Sequence, residues 1–304
     1  MPEPAAQSFP YGTPRAFESA LTARFKALAA DSPHSHSQLR RQFAYDRLLA
    51  RCFTPADAHR WILKGGISML ARLRQARHSA DIDLVTLAEN LPTALEELRA
   101  AAEADLGDFF TFDLDEPSHL VQGVEGVRVP VTARLGRRPY ETFHIDLVTA
   151  VQVTGVPETA SPIVAVDIPG LVRPDYRIYP LADSVADKVC AILERHQDRP
   201  STRFRDLVDL VLVARNRELN AAQLRTALVS EHRRRALPEA GKFDVPDRAL
   251  WDGGYAKAAS RAPDLDGFRT LEPAVTLAKA FLDPVLTAER TTGTWDPAAA
   301  RWTS

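Results

Sequence analysis

Two cysteines in 304 residues, Cys52 and Cys190, are too few for a disulfide framework or a cysteine-rich zinc site, so both read as buried thiols in a reducing compartment. Long apolar runs are missing too. Every apolar stretch is broken by Asp, Arg or Gly before it reaches the roughly 18 to 20 residues of a membrane span. Residues Met1 to Arg15 carry no basic stretch leading into an apolar segment, which argues against a secretory leader and for a cytoplasmic protein with no membrane partner. The formal charge is only −2, so the surface as a whole is no polyanion footprint, although local basic patches stay open. Neither a Walker A ending nor a dinucleotide fingerprint is present. What remains is a chain with 45% hydrophobic and 26% charged residues, a globular composition, long enough for two domains of roughly 150 residues.

Periodicity divides the chain into two kinds of segment. Phe17 to Ala30 and Gln38 to Cys52 place apolar residues three and four apart and read as helices, with Ser35 and Ser37 as available caps for the second. Trp61 to Leu63 forms a short strand, Lys64-Gly65-Gly66 a glycine turn, Ile67 to Leu73 a short helix, and Asp81 to Val85 a second strand. A helix follows from Pro92 to Ala104, then strands over Phe109 to Leu114, Gly126 to Leu135 and Glu141 to Thr149, with a turn at Arg137-Arg138-Pro139. Val156 to Pro180 is proline-rich and predicts an extended crossing loop. Beyond it Ser184 to Arg195, Phe204 to Arg215, Ala221 to Arg235 and Pro273 to Thr287 all have helical spacing; Pro238 to Gly267 has no assignable pattern, and Thr291 to Ser304 is expected to fray. The fold class is therefore α+β: a mixed sheet flanked by helices, followed by a helical bundle.

Chemistry concentrates around the first glycine turn. Asp81 and Asp83 are two apart on a strand and so share one face, where two carboxylates can meet one cation. Most such pairs are only the wet face of a strand. Here a glycine turn feeding a helix N-terminus lies just upstream, a place where backbone N–H groups can hold a phosphate. Asp146, on a later strand beside His144, is a third carboxylate; its plainer reading is a solvated strand residue. Hard oxygen ligands suit Mg²⁺ or Mn²⁺ and phosphoryl or nucleotidyl transfer. Ser79, two before Asp81, points its hydroxyl to the same face. Lys188 interrupts the apolar surface of its helix, a position from which lysine usually extends into water. Asp206 and Asp209 share a helix face near Arg203 and Arg205.

In order, Gly65-Gly66, Leu70, Arg77, Ser79, Asp81, Asp83, Asp146, Lys188, Arg205-Asp206 and Asp209 resemble the AbiEii/AbiGii-type nucleotidyltransferase toxins of the polymerase-beta-like superfamily, a group that includes the mycobacterial MenT toxins. The resemblance covers roughly Leu63 to Leu212. With the boundary placed at the proline-rich crossing, residues 1–55 are expected as N-terminal helices packing on the core, 56–180 as the nucleotidyltransferase catalytic domain and 181–304 as a helical domain completing the site. The resemblance implies catalytic roles for Asp81, Asp83, Asp146, Lys188 and Asp209, with Asp81, Asp83 and Asp146 holding the metal. The nucleotide would be bound by Lys64, Gly65, Gly66, Ser68, Ser79, Lys188, Arg205 and Asp206, with Asp206 orienting a partner such as Lys188. An NTP is the implied substrate, a tRNA 3′ end the implied acceptor, inhibition of translation the outcome, and a cognate antitoxin the partner. A phosphate on Ser79 would repel both triphosphate and carboxylates and offer a means of switching the enzyme off.

Arginines at 72, 74 and 77, and at 195, 199, 203 and 205, could line a basic channel for RNA, although solvated faces explain most charge runs. Two other readings stay open: transfer to a small molecule or a protein hydroxyl, and a nucleotide-binding module without turnover.

Overall fold

The computed structural model describes residues 8–54, 58–120, 125–149, 151–197, 199–238 and 241–304. Its chain forms two compact units, one of Met1–Arg74, His78–Val151 and Glu158–Ile178, the other of Gln75–Arg77, Gln152–Pro157 and Tyr179–Ser304. The expected boundary at 55–56 lies outside the described residues. Among the described residues no helix is long and apolar enough to cross a membrane.

The first unit starts with α1 (Pro14–Ala30) and α2 (His36–Cys52). Thr13 caps α1, and Ser35 with Gln38 makes a reciprocal capping box on α2, which satisfies N–H groups a helix start leaves without partners. The strands are β1 (Trp61–Lys64), β2 (Asp81–Thr86), β3 (Phe110–Leu114), β4 (Ser118–His119), β5 (Gly126–Leu135), β6 (Arg138–Val148), β7 (Glu158–Ala160) and β8 (Tyr176–Ile178). Their order is β3-β5-β6-β2-β1-β8-β7, with β4 beside β5. The β2–β6 and β1–β8 pairs are parallel and the others antiparallel, so the sheet is mixed. Between β1 and β2 runs α3 (Gly65–Arg72), and α4 (Leu91–Glu103) follows β2.

Strict alternation makes the sheet two-faced: Val127, Val129, Val131, Phe143, Ile145, Leu147, Ile82 and Leu84 are buried. Under them Phe17, Phe25, Phe43 and Phe110 meet edge to face, at centroid separations of 5.5–6.4 Å. A charged cluster is sealed within this core. Arg47 and Arg51 of α2 both bond to Asp108, at 2.7 and 2.9 Å. Burial pushes the Asp108 carboxyl up, but the two guanidiniums hold it below the usual carboxylate range.

Within the first unit three expectations need correction. The glycine turn is the start of a helix: Gly65 and Gly66 open α3, although Gly65 keeps a left-handed φ of 64°. The proline-rich loop contributes β7 and β8, because backbone beside an open strand edge gains ladder hydrogen bonds that solvent would otherwise have to supply. The β5–β6 turn falls one residue early, since Arg138 and Pro139 already pair with Leu135 and Arg134.

The second unit contains α5 (Leu181–Leu193), α6 (Phe204–Asn216), α7 (Ala221–Arg234), α8 (Arg248–Ala259) and α9 (Leu271–Leu286). A short hairpin joins β9 (Arg195–His196) to β10 (Arg199–Pro200). A three-stranded sheet is made by β11 (Leu219–Asn220), β12 (Thr294–Asp296) and β13 (Arg301–Thr303). The expected frayed end is thus ordered structure. Trp295 and Trp302 are buried, donate their indole N–H to Ala214 and Phe281 carbonyls at 2.7 and 3.0 Å, and pack on the Phe281 ring. Helix α8 fills the stretch that had no readable pattern, where Trp251 donates to Ser201 at 2.9 Å and stacks edge-on against Phe204.

Candidate active site

The hydrogen-bond register of the sheet lines up four side chains from four strands. Lys64 on β1 is opposite Asp83 on β2, Asp83 is opposite Asp146 on β6, and Asp146 is opposite Arg128 on β5. All four occupy the half-exposed face, the one opposite the Val and Ile core. Asp81 stands one repeat along β2 from Asp83, beside His144. Three carboxylates from two parallel strands therefore share one surface.

Each carboxylate has a distinct setting. A Cβ on Gly65 would run into the Asp83 carboxylate, so only glycine, already at positive φ, lets α3 begin against it. Lys64 supplies no side-chain cap to α3. The Ser79 hydroxyl is buried and donates to Asp81 Oδ1 at 3.1 Å, facing the carboxylates as its alternation predicts. The Ser68 hydroxyl donates at 2.9 Å to the Gly65 carbonyl within α3.

Asp146 is gripped by Arg128, whose Nε and Nη2 donate to its two oxygens at 2.7 Å each, while Nη2 lies 4.0 Å from Asp81. The bonds to Asp146, then the fields of Asp146, Asp81 and Asp83, raise the Arg128 pKa. Arg128 escaped the sequence reading, because nothing in Val127-Arg128-Val129 says which β6 residue it will face. Among the described residues no three His, Cys, Asp or Glu side chains stand close enough to hold an ion as they are. The donor chemistry nevertheless fits a divalent cation at Asp81 and Asp83: hard oxygens, a half-open face and a neighbouring third carboxylate.

The second unit has its own charged constellation. Lys188 is buried on α5, and its ammonium donates to Asp209 Oδ2 at 2.7 Å and Asp206 Oδ1 at 3.2 Å, both on α6. Two of its three donors are so engaged. Arg77 forks onto the same Asp209 at 3.0 and 2.9 Å, and Arg203 pairs with Asp206 at 2.8 Å. Burial pushes the Asp209 carboxyl up, but Arg77 and then Lys188 prevail and hold it below the usual range. Burial likewise works against the Lys188 charge, and Asp209 and Asp206 outweigh it, so its pKa is raised. Asp206 thus accepts from Lys188, whereas Arg205 is exposed and it is Arg203 that meets Asp206. Of the arginine groups, Arg72 is buried and forks onto Glu158, and Arg77 is engaged with Asp209.

A carboxylate pair on a strand after a glycine-led helix, with a third carboxylate on the parallel neighbour, is the candidate active site of the chain. Residues 47–294 match the family described as Nucleotidyl transferase AbiEii toxin, Type IV TA system, and the chain belongs to this family of toxin–antitoxin nucleotidyltransferases. Among the solved structures to which the chain is similar are two from Helicobacter pylori. One, a candidate nucleotidyltransferase, is 15% identical with a TM-score of 0.44 over 84% of this chain and 97% of its own. The other, JHP933, is 16% identical with a TM-score of 0.44 over 84% of this chain and 94% of its own. No curated protein matches the chain.

Proposed function

We propose that the chain moves a nucleoside monophosphate from an NTP to the 3′ end of a tRNA, with Mg²⁺ or Mn²⁺ held at Asp81 and Asp83, and so blocks translation. The observation that carries this reading is the register that brings Asp83 opposite Asp146, with Asp81 on the same face. In the reaction the acceptor hydroxyl loses its proton and bonds the α-phosphorus while pyrophosphate leaves. A bound divalent ion would supply charge neutralisation for that displacement and a lowered pKa for the attacking hydroxyl.

The chain's own groups have complementary tasks. Asp146 is the candidate base or third ligand, and its place beside Asp83 supports either role. The first N–H groups of α3, with Lys64, Gly65, Gly66 and Ser68 around them, are suited to a phosphate oxygen. Ser79 fixes the orientation of Asp81. Lys188 is proposed to neutralise charge on the triphosphate, and its raised pKa keeps it cationic at neutral pH. Arg205 and Asp206 stand as nucleotide-side candidates, with Asp209 holding the lysine in place. The toxin would act in the cytoplasm and be neutralised by its antitoxin.

The acceptor is tested with NTPs labelled at the α-phosphate, offered with total tRNA, with tRNA whose 3′ ribose has been oxidised by periodate, and with small molecules or protein alone. Label entering intact tRNA but not oxidised tRNA supports the 3′ end. Label confined to small molecules or protein would replace tRNA as acceptor.

A further inference from the structure

Three carboxylates on one sheet face repel one another, and at the Asp146 end of the row, away from Lys64 opposite Asp83, a guanidinium stands among them. Arg128 is bidentate to Asp146 at 2.7 Å through both nitrogens and lies 4.0 Å from Asp81. Its side chain is 44% exposed, against 16% for Asp146. The arginine can therefore move into solvent at little cost in packing, whereas the carboxylate cannot. A bidentate fork uses both Asp146 oxygens at once, which leaves Asp146 poorly placed to ligate anything else.

Resting on the reading that Asp81 and Asp83 bind a divalent cation, we propose that Arg128 is a positioning residue that stands in for that cation, holding Asp146 in the row and releasing one of its oxygens on metal binding. Metal affinity is then an exchange of one positive group for another. Arg128 sets its value and keeps the carboxylates ordered between turnovers. A unit charge about 4 Å from a second charge changes an affinity roughly five-fold in bulk water, and more at a half-buried site.

The test is Mn²⁺ affinity, read by electron paramagnetic resonance on the full chain with Arg128→Met, Arg128→Lys and, as a site control, Asp81→Asn together with Asp83→Asn. Arg128→Met should bind Mn²⁺ about ten-fold tighter than the unaltered chain, and Arg128→Lys, which restores the charge, within about three-fold of it. An affinity for Arg128→Met equal to or below that of the unaltered chain, with binding abolished in the double aspartate variant, would overturn the role of Arg128 and leave the metal site standing. Binding that is undetectable, or indifferent to the double aspartate variant, would overturn the metal site and this proposal with it. Folding of the variants is bypassed by a second readout on the unaltered chain: the Arg128 Nε–H resonance, assigned by its loss in Arg128→Lys, should shift on saturation with Mg²⁺. An unmoved resonance at saturation would also overturn the proposal.

Discussion

The carboxylate of Asp83 lies where a side chain on Gly65 would have to be, so a glycine at the start of α3 and an aspartate on the adjoining strand are fitted to each other. Gly65→Ala carries two penalties, the left-handed φ of 64° and the collision with Asp83. It should cost about 1–3 kcal/mol in chemical denaturation and lower nucleotide transfer at least about 100-fold. Gly253→Ala, in helix α8 with open space around the added carbon, is the control and should be neutral or stabilising by about 0.5–1 kcal/mol.

Asp209 holds Lys188 and Arg77 together out of water. Asp209→Asn leaves two cations facing a neutral amide and should destabilise the fold by about 3 kcal/mol or more in urea unfolding. The pH profile follows from the signs. The Asp209 carboxyl is depressed below 3.8, so its contribution is present above that value and lost as pH falls through its lower folded pKa. Lys188 is raised above 10.5, so its contribution is present below that value and lost as pH rises through its higher folded pKa. The stability difference between Asp209→Asn and the unaltered chain should hence be flat over roughly pH 5–9 and shrink in acid; a difference that varies across that interval would contradict the assignment.

Ser79 is buried with its hydroxyl donating to Asp81, so a negative group there meets a carboxylate at once. Ser79→Glu should reduce nucleotide transfer at least about 100-fold, and Ser79→Ala only about ten-fold, through loss of one neutral-to-charged hydrogen bond. Full activity in Ser79→Glu would exclude phosphorylation here as an off-switch.

Trp302, two residues before Ser304, caps the second unit by stacking on Phe281 at 6.0 Å and donating to its carbonyl. Trp302→Ala should cost about 3–5 kcal/mol in thermal or urea unfolding. A loss under about 1 kcal/mol would restore the expectation of a frayed tail.

Why this last element was illegible, while the carboxylates were not, is a matter of which interactions are local. Alternation in Asp81-Ile82-Asp83 and in Phe143 to Leu147 is a property of a few neighbouring residues, and it placed the acidic side chains on the open face correctly. The partners of Trp295 and Trp302 are far away in the chain, at Ala214 and Phe281, and β12 and β13 are three residues each, too short to show a period. Arg128 shows the same limit more sharply. Counting back from the Gly136–Arg137 turn with no irregularity would put Arg128 opposite Ile145; the bulge at Ala133/Arg134 shifts the pairing by one and puts it opposite Asp146. One residue of register separates a surface arginine from the partner of a candidate ligand. In the sequence Lys188 is a break in an apolar helix face, and only the α5–α6 pairing reveals that two carboxylates hold it.

Nucleotide transfer is proposed to need Asp81 and Asp83 together. The most direct measurement is transfer of α-phosphate label from each of the four NTPs to total tRNA, with Mg²⁺, by the unaltered chain and by Asp81→Asn together with Asp83→Asn. Labelled tRNA with one or more NTPs, reduced at least about 1,000-fold in the double variant, is the predicted result. Label transfer that persists in the double variant would contradict it.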